Sequence, residues 1–498
     1  MALNPRSVNR LVTGLLLIFA LIALTAAYWT VIAANDLTAR SDNPRQIEAQ
    51  QMQPRGALYD HNGLLLANSI VSGKTASGQP FMRRVYPQPD ATSATGYFSV
   101  VHGVSGAEQA FDTLLRGEPV PGAEQAADNL LHRPAPGQDV RLTIDLKAQQ
   151  AAAAAMRTVN AARGAVVAVD VPSGAIRVLL SAPGYDPNRF DDPNAFSTLL
   201  KDPNAPLLNR AVQGIYQPGG ALETIILSAL LTANVPLDKP LSGISQPLIL
   251  PNLTIACGLS SGSDATWQGA FVTACPSPFA QAAADYSPDI TRAIGAFGLT
   301  SVPTIAYSAS PASTVTPDGS SATAVPVGSL GPAEGAGQGR LTVSPLQMAM
   351  VAAIIANHGN RVPLYMANAT RAAGANDWQP LDISTDQAGA IAQNVANTVR
   401  GAMRQAVLNG TAQAADFKPN SAATTNPAQT PTSSPLIYGH ASLAYSGDPK
   451  TALAWFIGFI DLPNGHSVAV AVVLEATPDL NKAAAVGGAV LQSFASNP

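Results

Sequence analysis

Charged residues are scarce in this sequence. Only 12% of its 498 residues are Asp, Glu, Lys or Arg, and the formal net charge is −4. A nucleic-acid-binding protein needs a basic surface, so the composition excludes nucleic acid as a partner. Disorder of the whole chain is excluded as well, because 47% of the residues are hydrophobic and disordered chains lack hydrophobic residues. The length suffices for two or three domains with a large buried core.

Cysteine and histidine are scarce too, with two and six residues respectively. A metal cluster of the Cys/His type needs more ligands than one cysteine pair supplies, and the histidines have no metal-ligand spacing. We therefore expect no metal and no other cofactor. In an oxidising compartment, Cys257 and Cys275 would form a disulfide that closes a short loop. Two unpaired, buried thiols fit the sequence as well, so both alternatives stay open.

Charge is absent altogether from residues 11–34, and Leu15 to Leu24 are all apolar. A helix that crosses a bilayer needs about 20 such residues. Arg6 and Arg10 precede the run, which predicts a cytoplasmic tail of residues 1–10 and an extracytoplasmic remainder at the cell membrane. A cleaved signal peptide has an apolar region of only about 7–15 residues, so we favour an uncleaved, single-pass anchor.

Turn residues and hydrophobic patterns divide the remainder into two domains. In the first, residues 35–140, the Asn62-Gly63 pair predicts a hairpin with a return strand over 64–67. The second, residues 141–498, begins with an Ala-rich stretch that predicts a helix over 145–159. A mainly helical region follows between two groups of predicted strands, which are 164–169, 175–180, 453–460 and 467–474. Strands at both ends with helices between them predict an α+β fold with one antiparallel sheet flanked by helices.

Several short motifs occur in the order found in one known family. Two lie in the first domain, at residues 55–63 and 103–117. The others lie in the second domain, at residues 142–145, 168–176, 181–188, 209–219, 337–349 and 455–459. As a set they resemble the class B penicillin-binding proteins, the peptidoglycan D,D-transpeptidases, and in particular the actinobacterial penicillin-binding protein A group. This resemblance implies a small, mainly β pedestal (dimerisation-like) domain followed by a penicillin-binding transpeptidase domain similar to β-lactamases.

The resemblance also implies a reaction, acyl transfer from a D-Ala-D-Ala stem peptide. In the family a serine attacks the peptide carbonyl, and a lysine one helical turn later activates it within a Ser-x-x-Lys motif. A Ser-x-Asn loop and a Lys-Thr-Gly strand complete the site. All three motifs are altered here. Their degenerate positions are Gly220 for the nucleophile, Glu223 for the base, Ala274 and Pro276 for Ser-x-Asn, and His440, Ala441 and Ser442 for Lys-Thr-Gly.

A different chemistry at these positions has little support in the sequence. Glu223 could act as a general base, but an acid in the first turn of a helix more often stabilises the helix dipole. His440 and Ser442 lie two apart on a predicted strand and therefore share a face, but no third group that would orient the histidine is evident. Lys450-Thr451-Ala452 imitates Lys-Thr-Gly, and we interpret it as the end of a hairpin turn.

The sequence therefore predicts a pseudoenzyme of cell-wall synthesis that has kept the fold and lost the acyl-transfer site. The resemblance implies a scaffolding or regulatory role, because the family's anchor helix and pedestal engage a SEDS-type lipid II polymerase. Two alternatives stay open. One is an active D,D-transpeptidase that works with substituted residues. The other is a sensor that holds a peptidoglycan stem peptide or a β-lactam without reacting.

Overall fold

The computed structural model describes residues 5–29, 52–74, 78, 80–117, 137–260, 265–301, 305–306, 314–315, 330–384, 387–416, 435–447 and 450–495. The chain divides into two compact units. The smaller comprises residues 1–54 and 69–83, and the larger comprises residues 55–68 and 84–498. Part of the predicted anchor, residues 30–34, lies outside the described residues.

The α-helices begin and end as follows: α1 Pro5–Ala27, α2 Thr92–Thr95, α3 Gly106–Ala110, α4 Asp112–Arg116, α5 Leu146–Thr158, α6 Pro193–Lys201, α7 Arg210–Gln213, α8 Glu223–Thr232, α9 Trp267–Val272, α10 Pro276–Asp285, α11 Ser287–Ala296, α12 Pro332–Gly335, α13 Pro345–Ala356, α14 Gln393–Asn409 and α15 Leu480–Ala495. Single turns of 3₁₀ helix cover Pro89–Ala91, Pro187–Arg189, Gly219–Leu222 and Gln413–Ala415. None of the helices in the described ranges has the combined length and apolarity of a bilayer span.

The strands are β1 Leu58–Tyr59, β2 Leu65–Lys74, β3 Pro80–Val85, β4 Phe98–Ser99, β5 Gly103–Val104, β6 Asp139–Leu142, β7 Gly164–Asp170, β8 Ile176–Ala182, β9 Leu248–Leu250, β10 Leu253–Ile255, β11 Ile305–Ala306, β12 Thr314–Val315, β13 Asn360–Arg361, β14 Ala367–Arg371, β15 Gln379–Pro380, β16 Ala388–Gly389, β17 Leu436–Ser446, β18 Thr451–Asp461 and β19 Ser467–Glu475. Two sheets organise most of them, one of five strands and one of six.

The five-stranded sheet has the order β17-β18-β19-β7-β8, and every neighbouring pair is antiparallel. Its side chains alternate between two apolar layers, as strand geometry requires. One layer joins residues such as Ala441 and Phe456 to helices α5 and α15. The other joins Trp455 and Ile457 to α8 and α13. The strands come from both ends of the predicted second domain. The predicted α+β fold, with one antiparallel sheet assembled from distant segments, is therefore confirmed.

The six-stranded sheet has the order β15-β14-β6-β1-β2-β3. The predicted hairpin is confirmed where β1 and β2 meet: the Asp60 carboxylate accepts hydrogen bonds from the Leu64 N–H at 2.7 Å and the Asn62 N–H at 2.9 Å. Strand β14 comes from far along the chain and pairs with β6. The predicted boundary between residues 140 and 141 falls inside β6, and the division into pedestal and transpeptidase domains stays a prediction.

A buried ion cluster links the two motifs that predicted the pedestal. Glu108 is fully buried and accepts from Arg55 Nε at 3.0 Å and from Arg84 Nε at 2.6 Å. Arg55 also pairs with Asp112 at 2.6 Å. Because two cations share these carboxylates, removing one partner would leave a buried charge without compensation. The cluster therefore holds the segment around Arg55 against α3 and α4.

Candidate active site

The turn at Gly219 brings the start of α8 against strand β17. Gly219 has a φ of +52°, and a Cβ at this position would lie 2.3 Å from the Leu443 carbonyl oxygen. Its N–H donates to the Gly337 carbonyl at 2.9 Å, and the Trp455 indole donates to the Gln217 carbonyl at 3.0 Å. Only glycine allows such a close backbone approach with a positive φ. Gly219 therefore fixes the position of its neighbour, Gly220, relative to the sheet.

Gly220 faces Ser442, which occupies the space in front of it. A Cβ built on Gly220 would lie 2.7 Å from Ser442 Cβ and 3.2 Å from its Oγ. Ser442 is itself 1% exposed. The first and third degenerate motifs therefore meet as the resemblance predicts. In the family the hydroxymethyl group is on the helix and the glycine on the strand. Here the arrangement is reversed, with Ser442 on the strand and Gly220 at the start of the helix.

Glu223 and His440 form a second contact between the same two motifs. His440 Nε2 lies 3.4 Å from Glu223 Oε2, and the two side chains are 0% and 2% exposed. The Phe271 ring on α9 stacks on the imidazole with ring centroids 4.2 Å apart. As predicted, Glu223 is in the first turn of its helix, since α8 begins there. The pair is thus buried inside the protein, and the Phe271 ring covers one face of the imidazole.

Polar atoms in this cluster lack hydrogen-bond partners. They are Glu223 Oε2, both ring nitrogens of His440, and Ser442 Oγ. Burial raises the pKa of the Glu223 carboxyl, and the nearby His440 ring opposes that rise by less. Buried, unsatisfied polar groups destabilise a fold by about 1–3 kcal/mol each. In this cluster the Ser442 hydroxyl therefore has no hydrogen bond to a base that could activate it as a nucleophile.

The second degenerate motif lies in the connection between α9 and α10. Ala274 has a φ of +48°, and its carbonyl accepts from the Gly258 N–H at 3.1 Å. Pro276 is the first residue of α10. Cys275, between them, is disulfide-bonded to Cys257, which decides the alternative that the sequence left open. At the two positions where the family has Ser and Asn, this loop thus has a methyl group and a proline ring.

The structure also shows where the other candidate catalytic residues lie. His440 and Ser442 share a face of β17, as predicted, but no hydrogen bond joins them. Ala441 points to the opposite apolar layer. Thr451 is the first residue of β18 and pairs with Ser446 at the end of β17, and its hydroxyl donates to the Ser446 carbonyl at 3.1 Å. The Lys450-Thr451-Ala452 run is therefore the end of a hairpin, as predicted. In the described part of the chain no group of three or more His, Cys, Asp or Glu residues has metal-binding geometry.

Sequence reasoning missed two features of this region. Phe271 gives no signal as a neighbour of His440, because it lies far away in sequence and reads as an ordinary core aromatic. The role of Gly219 is visible only in its positive φ. In the sequence, the signal that could have indicated this turn is the Pro-Gly pair at the end of the Tyr-Gln-Pro-Gly run at 216–219.

Comparison with known proteins agrees with this fold. The penicillin-binding protein transpeptidase domain matches residues 164–495. The peptidoglycan D,D-transpeptidase PbpA of Mycolicibacterium smegmatis is 30% identical over 383 residues, which are 73% of this chain and 75% of that protein. The crystal structure of PBPA from Mycobacterium tuberculosis superposes with a TM-score of 0.70 at 26% identity and covers 89% of this chain and 99% of that one. A structure of the same mycobacterial protein as a penicillin G acyl-enzyme complex superposes with a TM-score of 0.71.

The chain therefore belongs to the penicillin-binding protein transpeptidase family of cell-wall peptidoglycan synthesis. Within that family it is a class B penicillin-binding protein similar to the actinobacterial PbpA proteins.

Proposed function

We propose that this protein is a catalytically inactive penicillin-binding protein with a scaffolding or regulatory role in peptidoglycan synthesis. One observation carries the proposal: Ser442 fills the space in front of Gly220, where the family's nucleophile would be. Acyl transfer needs a hydroxyl, a base within hydrogen-bond reach and room for the substrate carbonyl. Gly220 supplies no hydroxyl, and the buried Ser442 hydroxyl has no base hydrogen-bonded to it.

Glu223 supports the same proposal. It occupies the position of the family's lysine, so the charge of the activating group is reversed. Its carboxylate lies against His440, on whose ring Phe271 stacks, and both partners of the pair are buried. A general base must reach the proton that it removes in a substrate complex. Glu223 is covered by protein side chains, so it reaches neither water nor a substrate in this conformation.

Covalent labelling tests the proposal directly. The purified full-length chain is incubated with a fluorescent penicillin, separated by gel electrophoresis and weighed intact by mass spectrometry. PBPA from Mycobacterium tuberculosis, for which acyl-enzyme complexes with penicillin G and imipenem are known, serves as the positive control. We expect no label and no added mass. An adduct on any residue, and especially on Ser442 or Ser277, would show a reactive nucleophile and overturn the proposal, whereas reversible binding without an adduct would favour a sensor.

We further propose that residues 11–34 anchor the protein in the cell membrane with its N-terminus in the cytoplasm. The uncharged run and the preceding Arg6 and Arg10 support this topology. Alkaline phosphatase fused after residue 45 should then be active in cells. An inactive fusion, or a mature N-terminus near Asp36, would contradict it.

The expected partner is a SEDS-type lipid II polymerase. What supports this partner is the family membership together with the two pedestal motifs, which a buried ion cluster of Arg55, Glu108 and Arg84 joins. The scaffold would use surfaces that acyl transfer does not need. Stem peptide as an additional ligand is a weaker expectation, because His440 replaces the family's anion-binding lysine.

A further inference from the structure

A second concave site lies apart from the degenerate active site. A cavity of about 420 Å³ is enclosed by the segment 93–110, the end of β8 with its following loop, and the residues around α7. Gly220, Glu223, His440 and Ser442 are not among the residues that line it. Its volume is within the range of about 300–1,000 Å³ that is typical of small-molecule sites. The cavity is thus large enough for a ligand and independent of the altered motifs.

The lining of this cavity is uncharged. Among the described residues that form it, polar character comes from serine and tyrosine hydroxyls and from the amides of Gln109, Asn209 and Gln213. A charged ligand would lose its hydration here without gaining an opposite charge. The cavity therefore selects for a neutral ligand.

Several of the polar groups are already held in place. Asn209 Nδ2 donates to the Ser93 carbonyl at 2.8 Å, and Gln213 Oε1 accepts from the Asn209 N–H at 2.9 Å. The amide nitrogen of Gln213 has no partner among the described residues. Ser105 Oγ accepts from the Tyr97 N–H at 3.2 Å and also interacts with the Tyr185 hydroxyl, whose pKa burial raises far above neutrality. The site thus offers neutral hydrogen-bonding groups whose positions are already fixed, which lowers the entropy cost of binding.

Aromatic rings form the other part of the wall. Tyr97 and Tyr185 meet edge to face with ring centroids 6.0 Å apart, and Tyr185 stacks on Phe190 at 5.8 Å. The packed rings hold the wall rigid, and the hydroxyls and amides lie beside it. A pyranose ring has the complementary construction, with apolar C–H groups on its faces and hydroxyl or acetamido groups around its rim. Neutral sugars therefore match both the charge and the chemistry of the cavity.

We propose that this cavity binds the uncharged glycan of peptidoglycan, recognised as an N-acetylated disaccharide unit. Peptidoglycan combines charged peptide stems with a glycan backbone, and of these two components the lining accepts the glycan. The inference rests on the protein's place in peptidoglycan synthesis, but it does not require a loss of catalysis. A penicillin adduct would overturn the proposed function and leave this site unaffected.

The test uses the full-length protein in detergent and di-N-acetylchitobiose as the probe. Binding is measured by calorimetry and by saturation-transfer NMR. We expect saturable binding with contacts at the acetyl methyl groups. An uncharged, unacetylated disaccharide of the same linkage should bind at least about tenfold more weakly. A charged stem pentapeptide should not compete.

Two variants locate the site. Gly184 lines the cavity, and a Cβ on it would have no atom within 4 Å, so Gly184→Leu fills the cavity without strain. Gln213→Glu keeps the acceptor for Asn209 but replaces the amide donors with a charge. Each should weaken disaccharide binding by at least about tenfold. The matched control is Gly401→Leu, at an equally open and exposed glycine on α14, which should bind like the parent.

Three results would overturn the proposal. They are no saturable binding of the disaccharide by the parent protein, unchanged binding by Gly184→Leu, or competition by the stem peptide. Circular dichroism of each variant separates lost binding from lost folding. If Gly184→Leu fails to fold, Gln213→Glu, whose side chain has the same size as that of the parent residue, still decides the question.

Discussion

Gly220 and Ser442 form a single packing unit at the residue scale. The 2.7 Å separation between a Gly220 Cβ and Ser442 Cβ is too short for two ordinary side chains. Gly220→Ser alone should therefore destabilise the protein by about 1–3 kcal/mol through overpacking. Adding Ser442→Gly should recover most of that loss, after correction for the Ser442→Gly single variant. A double-mutant cycle from urea unfolding measures this coupling, and additive effects would show that the two residues do not share the space.

The same contact leads us to expect that restoring the nucleophile alone will not restore activity. Gly220→Ser with Glu223→Lys adds two family residues but leaves Ser442 in front of the new hydroxyl and His440 beside the new lysine. The cation at position 223 would be buried beside His440 without an anionic partner. We expect this double variant to unfold more readily than the parent and to remain unlabelled by penicillin. Labelling would mean that the strand moves aside to admit a substrate.

Glu223 makes the stability of the protein depend on pH. Burial raises its pKa in the folded state, so the folded protein favours the protonated carboxyl. Such a group contributes its full stability below the unfolded pKa of about 4.3, and this contribution is lost as the pH rises through the folded pKa. Glu223→Gln stays neutral at every pH, so its stability relative to the parent should increase as the pH is raised from about 4.3.

Thermal unfolding of the parent and of Glu223→Gln between pH 4 and pH 8 measures this effect. Asp289→Asn, on the surface of α11, is the control for the loss of one negative charge. A stability of Glu223→Gln relative to the parent that stays constant over this range, or that falls with rising pH, would contradict a raised pKa of the buried Glu223 carboxyl.

At the element scale, the disulfide secures the connection that carries the second degenerate motif. Cys257 and Cys275 are 18 residues apart and join this connection to the segment after β10. A loop of about this length gains roughly 3 kcal/mol from cross-linking. Replacing both cysteines with serine should lower the unfolding free energy by about that amount. Reductant should lower the melting temperature of the parent and leave the double variant unchanged.

The elements that could be predicted from the sequence are those whose signals lie close together along the chain. The helix at Leu146–Thr158, the β7–β8 hairpin and the β18–β19 hairpin follow from apolar periodicity and turn residues close in sequence. The pairing of β14 with β6 joins residues that are more than 220 positions apart, so no local signal indicates it. The same distance limit applies to the site. The face shared by His440 and Ser442 was predictable from strand alternation, whereas the stacking of Phe271 required the tertiary fold.

At the scale of the whole molecule, the pairing of β6 with β14 restricts how the partner prediction is tested. A fragment of residues 1–140 ends inside β6 and lacks β14, so its failure to bind a polymerase would be uninformative. The full chain avoids this problem. Co-purification of a SEDS-type polymerase with full-length protein from detergent is the appropriate measurement, with point variants in place of truncation.

Strand β2 contains an exposed residue whose substitution can test binding of the polymerase. Its last residues are exposed, and Val71 is an apolar side chain with 61% of its surface accessible. Ile70 is exposed as well, but consecutive strand residues point to opposite faces, so Val71 is the side chain that a partner would contact on its own face of the predicted pedestal. Val71→Asp should therefore reduce co-purification of the polymerase, because a charge in an apolar contact remains unpaired. Leu408→Asp, at a 43% exposed position on α14, is the matched control and should co-purify like the parent. If both variants bind normally while Glu223→Gln or Ser442→Gly binds poorly, the partner recognises the transpeptidase domain, and the proposed use of the pedestal is wrong.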